Sequence, residues 1–165
     1  MASSGSDASQ KPSETPPSPD IPKAIRDVAG KLRLPPNAKV AGIAINEKGM
    51  PLHLSVIVNG EAGQLVNNAA TLRTEDRPWD TKGNVALTHV EGHVAALMRK
   101  LGGPRKVSLV VTRDPCEGPY GCDERLPDIL PIGSMLAVYV REGGSLRYFK
   151  TYEGNGEAVK ASDDV

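Results

Sequence analysis

The sequence has no long apolar run. None of its stretches reaches the length that crosses a bilayer, and its first residues lack the apolar segment of a signal peptide. A soluble chain with no membrane contact is the expectation. Cysteine is scarce: Cys116 and Cys122 are the two present. They rule out a disulfide framework and leave three readings open, namely one small-loop bridge, metal ligation or free thiols. Aromatic residues make up 4 % of the chain, so few side chains can stack on a flat ligand. No internal repeat is visible.

Net charge is also missing, but the zero is an average. Residues 1–20 carry −2, the tail after Lys150 carries −3, and the body between them carries +5. That body is mildly basic and compatible with a modest phosphate footprint. "MASSGSDASQKPSETPPSPD", residues 1–20, holds six Ser and four Pro and no branched apolar residue. Such a segment cannot offset its ordering entropy, and a disordered linker is expected. Residues 153–165 are acidic and are expected to form a flexible tail. The remaining residues 21–152 suit one globular domain with a core of its own.

Within it, "IPKAIRDVAGKLRLPP", residues 21–36, spaces its apolar residues for a helix. Asp20 and Pro22 open it and Pro35 and Pro36 stop it. Residues 39–60 alternate as a hairpin with turn chemistry at Asn46 to Gly49. Residues 61–84 have weak periodicity and are expected to be a long, mostly irregular loop, a kind that tends to carry function. A helix over residues 85–101 follows, closed by Gly102, Gly103 and Pro104, with Val94, Leu97, Met98 and Leu101 as its buried stripe. "KVSLVVT", residues 106–112, reads as a strand buried on both faces. A short helix spans residues 123–130, and two antiparallel strands turn at Gly143 and Gly144. The order predicts an α/β three-layer sandwich, a mixed sheet of about five strands flanked by helices.

"LTHVEGHVAAL", residues 87–97, places three ionisable side chains in an otherwise apolar helix. "DPCEGPYGCDERLPDILP" begins about twenty residues later. His89 sits near the start of the long helix, and Cys116 and Cys122 bracket the loop into the next one. Helix starts gather beside strand C-termini, so the three can converge. One imidazole and two thiolates suit Zn2+, one per chain, with the fourth tetrahedral position left to water. Glu91 cannot easily share that ion, yet it leaves the same helical turn and is placed to move a proton from a bound water. Two thiolates offset the zinc charge, which makes a neighbouring base more necessary. His93 suggests a metalloprotease until the spacing is read: that motif is H-E-x-x-H, and Val90 stands where its glutamate belongs. His93 is expected to be structural or to face the rim of the site.

His89-Val90-Glu91 followed by Pro115-Cys116 resembles the signature of zinc nucleobase deaminases. "THVEGHVAALMRKLG", "DPCEGPYGCDERLPDILPIGSMLAVY" and the hairpin ending in "VNG" are similar to bacterial polymorphic-toxin deaminases that act on DNA cytosine. The resemblance spans roughly residues 37–150. One departure is clear: five residues separate the cysteines instead of two. The resemblance implies a cytidine deaminase-like fold and hydrolysis of cytosine to uracil on single- or double-stranded DNA. It also implies Glu91 as proton shuttle and His89, Cys116 and Cys122 as metal ligands. Substrate contacts are expected from Asn59, Trp79, Thr88, Pro115 and Tyr120. A monomeric effector is implied, secreted by a bacterium, acting in the target-cell cytoplasm and countered by a cognate immunity protein, with residues 1–20 as the remnant of a linker to delivery modules. Lys and Arg at positions 99, 100, 105 and 106 are offered as a phosphate track or as a solubilising helix end. The rival readings are deamination of a free nucleoside, RNA or adenine, and a non-catalytic zinc-stabilised nucleic-acid-binding module.

Overall fold

A computed structural model of the chain describes residues 20–53, 56–59, 88–100, 102–116 and 122–159. Among them are three helices, α1 (Lys23–Lys31), α2 (Val90–Arg99) and α3 (Cys122–Ile129). Five strands accompany them: β1 (Ala41–Ile45), β2 (Ile57–Val58), β3 (Lys106–Val111), β4 (Met135–Glu142) and β5 (Ser145–Glu153). The expected linker, apart from Asp20, and the expected loop 61–84 lie outside the described residues.

The strands form one sheet in the order β2-β1-β3-β4-β5. β3 and β4 are parallel and every other neighbouring pair is antiparallel. The mixed sheet expected from the sequence is therefore observed. Alternation along β3 explains its apolar run: Val107, Leu109 and Val111 face one side, and Val110 faces the other. α2 and α3 cover the first side, where Val94, Met98, Leu126, Ile129 and Leu130 join the main core. α1 covers the second side through Ile25, Ala29 and Leu32. Each fully buried aliphatic side chain there contributes roughly 1.5–3 kcal/mol.

Two arginines anchor helix C-termini, where unsatisfied carbonyls favour a cation. Arg141 of β4 donates to the carbonyls of Ala29 and Leu32 at the end of α1. Arg99, 9 % exposed, donates to Ile129 O at 2.8 Å and so ties the end of α2 to the end of α3. Burial lowers the Arg99 pKa to about 9, and the guanidinium stays charged at neutral pH.

Four local expectations are corrected. Asp20 does not cap α1; Pro22 is its N-cap residue and no side chain caps it. α2 begins at Val90, so His89 is its N-cap residue and not part of its body. α2 is also buried on nearly all sides rather than along one stripe, because it is wedged between the sheet and α3.

The fourth correction concerns the tail. Residues 153–159 are not loose: Ala158 is fully buried, and the amides of Asn155, Gly156 and Ala158 donate to the carbonyls of Pro127, Leu130 and Asp128. This segment supplies the donors that the last turn of α3 lacks. Acidic composition suggested solvation, but the backbone of the segment is what docks it. No helix among the described residues is long and apolar enough to cross a membrane.

Candidate functional site

Antiparallel pairing puts the start of β1 beside the end of β3. Thr112 N donates to Ala41 O and Ala41 N to Thr112 Oγ1, both at 3.1 Å. One strand further, Asn59 N donates to Val40 O at 3.3 Å. Residues before β1, after β2 and after β3 therefore meet at one end of the sheet. The N-terminus of α2 joins them through Asn59, whose Oδ1 accepts from Val90 N at 2.9 Å. His89 itself makes no side-chain cap bond. Asn59 thus serves as a helix cap supplied from a distant segment.

That cap holds His89 and Glu91 in place. His89 Nδ1 lies 3.4 Å from Cys116 Sγ. Glu91, 2 % exposed, is in the first turn of α2. Cys116 carries no disulfide. Its carbonyl accepts from Asp123 N at 3.0 Å, which brings the opening of α3 beside it. α3 begins at Cys122, whose side chain lies outside the described atoms. The start of α3 is anchored from the other side, where Tyr152 Oη at 2.8 Å and Lys150 Nζ at 3.1 Å donate to Asp123 Oδ1. Those two donors, Tyr152 first, hold the Asp123 carboxyl below its usual pKa.

The Cys116 sulfur beside His89 raises the imidazole pKa. The Cys116 and Glu91 charges act in the same direction, and burial and the Arg113 guanidinium oppose it. The same proximity suits a metal. Zinc ligands at about 2.3 Å for sulfur and 2.0–2.1 Å for nitrogen, in tetrahedral geometry, lie roughly 3.6 Å apart, close to the separation found. His89 and Cys116 thus fit as two donors of a soft site. Among the described residues no group of three His, Cys, Asp or Glu side chains converges, and the third donor expected from the sequence is Cys122.

His89, Glu91 and Cys116 line a cavity of about 200 Å³ together with Lys39, Val40, Asn59, Arg113 and Asp114. A larger cavity of about 500 Å³ lies between α1 and the hairpin, walled by Ala24, Val28, Ile43 and Val56 among others. It holds neither Cys116 nor Glu91, so the smaller one is the candidate site. Pro115, which precedes Cys116, is buried, and Thr88 is half-buried just before the cap of α2. Neither lines the cavity. Trp79 and Tyr120 fall outside the described residues. His93 is fully buried in α2 and does not line the cavity.

The basic residues offered as a phosphate track or a solubilising helix end do not line this cavity. Arg99 is buried against Ile129, and Arg105 donates to Ile132 O at 2.9 Å. Lys106 starts β3, at the opposite end of that strand from Arg113, and Lys100 lines a different surface hollow. Lys39, Val40, Arg113 and Asp114 are the cavity residues that sequence reading missed. The pairing of β1 with β3, which joins them, has no local signal.

Gly42 of β1 is where α2 crosses the sheet. A Cβ there would lie 2.8 Å from Val90 Cγ1, 3.0 Å from Leu109 Cδ1 and 3.0 Å from Val110 O. Val90 stands between His89 and Glu91, so the displacement reaches both. Gly42→Ala is expected to cost about 1–3 kcal/mol, typical of overpacking, and to lower turnover more than its melting temperature alone explains. A variant with wild-type turnover and stability would show that the helix start gives way freely.

A sheet with helices on both faces, and a cavity at its edge lined by the imidazole of His89, the thiol of Cys116 and the buried carboxylate of Glu91, fit a hydrolytic deaminase. The wider comparison agrees. The chain belongs to the SCP1.201-like deaminase family, whose sequence profile matches residues 14–156. No curated protein matches it.

Proposed function

We propose that the protein is a zinc-dependent deaminase of cytosine in DNA, the toxic effector of a bacterial competition system whose producer carries an immunity protein. The observation that carries the reading is the 3.4 Å approach of His89 Nδ1 to Cys116 Sγ beside the buried Glu91. His89, Cys116 and Cys122 would hold zinc, which supplies the Lewis acidity that makes water a competent nucleophile at neutral pH. Glu91 accepts a proton from that water as oxygen adds to C4 of cytosine. It passes that proton to ring N3, then takes the remaining proton from the hydroxyl now on C4 and gives it to the departing amine as the C4–N4 bond breaks, so water and cytosine give uracil and ammonia. Asn59 spends its Oδ1 on the cap of α2, which leaves its amide N–H groups as donors to the bound nucleotide. A cavity of about 200 Å³ admits a base and not a base pair. The target cytosine is therefore extruded from its stack or already single-stranded.

The test uses purified full-length protein, stripped with a chelator and reloaded with zinc, on a single-cytosine oligonucleotide with and without its complement. Expected is uracil from the reloaded protein, none from the stripped one, and about one zinc per chain. Rapid turnover of free cytidine with none on either oligonucleotide would overturn the DNA reading. Zinc well below half an equivalent would overturn the metal site.

A further inference from the structure

The cavity mouth has a charge pattern that the deamination chemistry does not use. Lys39 precedes β1 and Arg113 follows β3, and both are exposed lining residues of the cavity. The paired strand ends hold their backbones close together. Among the described residues neither forms an ion pair, whereas Lys23, Arg125, Arg147 and Lys150 all do. The exposed acid of the cavity is Asp114, next to Arg113, whereas its other acid, Glu91, is buried. Asp114 does not serve either cation, because Arg147 of β5 binds it and reaches Glu142 as well at 3.1 Å. Two cations thus stand at the entrance with the local acid already taken.

We propose that Lys39 and Arg113 form the phosphate-binding pair of this site, holding the phosphodiester next to the target nucleotide while its base enters the cavity. The proposal rests on the deaminase reading and goes beyond it by naming what distinguishes a nucleic-acid strand from a nucleoside. A neutral nucleoside gives these charges nothing to pair with. A phosphodiester does, and Arg113 can take two of its oxygens at once. Arg147 acts at one remove: by holding Asp114 it keeps a competing carboxylate away from the pair.

The experiment measures binding of a fluorescent single-stranded cytosine oligonucleotide to zinc-loaded full-length protein across a salt series. Lys39→Ala/Arg113→Ala is compared with Lys100→Ala/Lys106→Ala, which removes equal charge away from the site. Circular dichroism confirms that both fold. Losing two phosphate contacts flattens the plot of log K against log salt by about 1.4. That flattening, with at least a tenfold loss of affinity at low salt, is expected of the first variant and not of the second. Equal losses in both variants, or none in the first, overturn the proposal. Deoxycytidine monophosphate and deoxycytidine form a second arm. If the pair matters for the monophosphate and not for the oligonucleotide, it reads a terminal phosphate and the phosphodiester assignment fails. A flattened slope in a protein that makes no uracil from any cytosine substrate would leave the pair standing and overturn the cytosine-deaminase reading instead.

Discussion

Glu91→Gln is expected to lower the rate of uracil formation by about a thousandfold or more, with zinc content and melting temperature held near wild type. Glutamine keeps the shape of the side chain at a position only 2 % exposed, so the packing around it has little reason to change. What it loses is the capacity to take up and return a proton. A positioned acid–base group contributes typically about 10²–10⁴-fold, and a thousandfold loss corresponds to roughly 4 kcal/mol of barrier. The upper part of that range applies here, because one group serves both proton transfers. Zinc retention separates this role from ligation: removing a ligand would cost metal, removing a base would not. Turnover within roughly threefold of wild type at equal zinc would sink the assignment.

Gly154→Ala is expected to be the most damaging substitution to stability. Gly154 N donates to Ser134 O at 2.9 Å and its carbonyl accepts from Gly133 N at 3.3 Å, so the end of β5 is stitched to the turn that leads into β4. A Cβ at this position would fall 2.0 Å from Pro131 O, 2.7 Å from Ser134 Oγ and 2.9 Å from Leu130 Cβ. The nearest of these atoms is backbone, which cannot rotate away. Ser134 Oγ is itself committed to Pro131 O at 2.6 Å. Relief requires separating the two segments, at about 3 kcal/mol or more, the upper end of overpacking costs. For a domain of this size that lowers the melting temperature by roughly 6–12 °C. Gly144→Ala serves as the control, since a Cβ there meets nothing within 4 Å. If the two variants melt together, the close approach at Gly154 is not a constraint.

The sequence was informative wherever the physics is local. Asn46 accepts from the amides of Lys48 and Met50 at 2.9 and 3.0 Å, the turn chemistry its neighbours advertised. Gly143 and Gly144 turn β4 into β5, and the β-branched run from Lys106 is a central strand. His89 and Cys116 could be anticipated because their residue types narrow the chemistry so far. What stayed hidden depends on pairing between remote segments. Nothing near Asn59 announces that it caps a helix thirty-one positions later. Nothing near Arg99 distinguishes a buried clamp from a surface charge, since the carbonyl it satisfies belongs to α3. Lys39 and Arg113 become neighbours only through the register of β1 against β3, which pairs Gly42 with Val111.

The hydrogen bonds from Asn155, Gly156 and Ala158 to the last turn of α3 bear on how the protein can be cut or fused. A version ending at residue 152 would retain nearly all of β5, yet the carbonyls of Pro127 and Asp128 in the helix that starts at Cys122, and of Leu130 just past its end, would lose their donors. Shortening and appended tags would then report on that helix rather than on the part removed. Any fusion at this end belongs beyond residue 159.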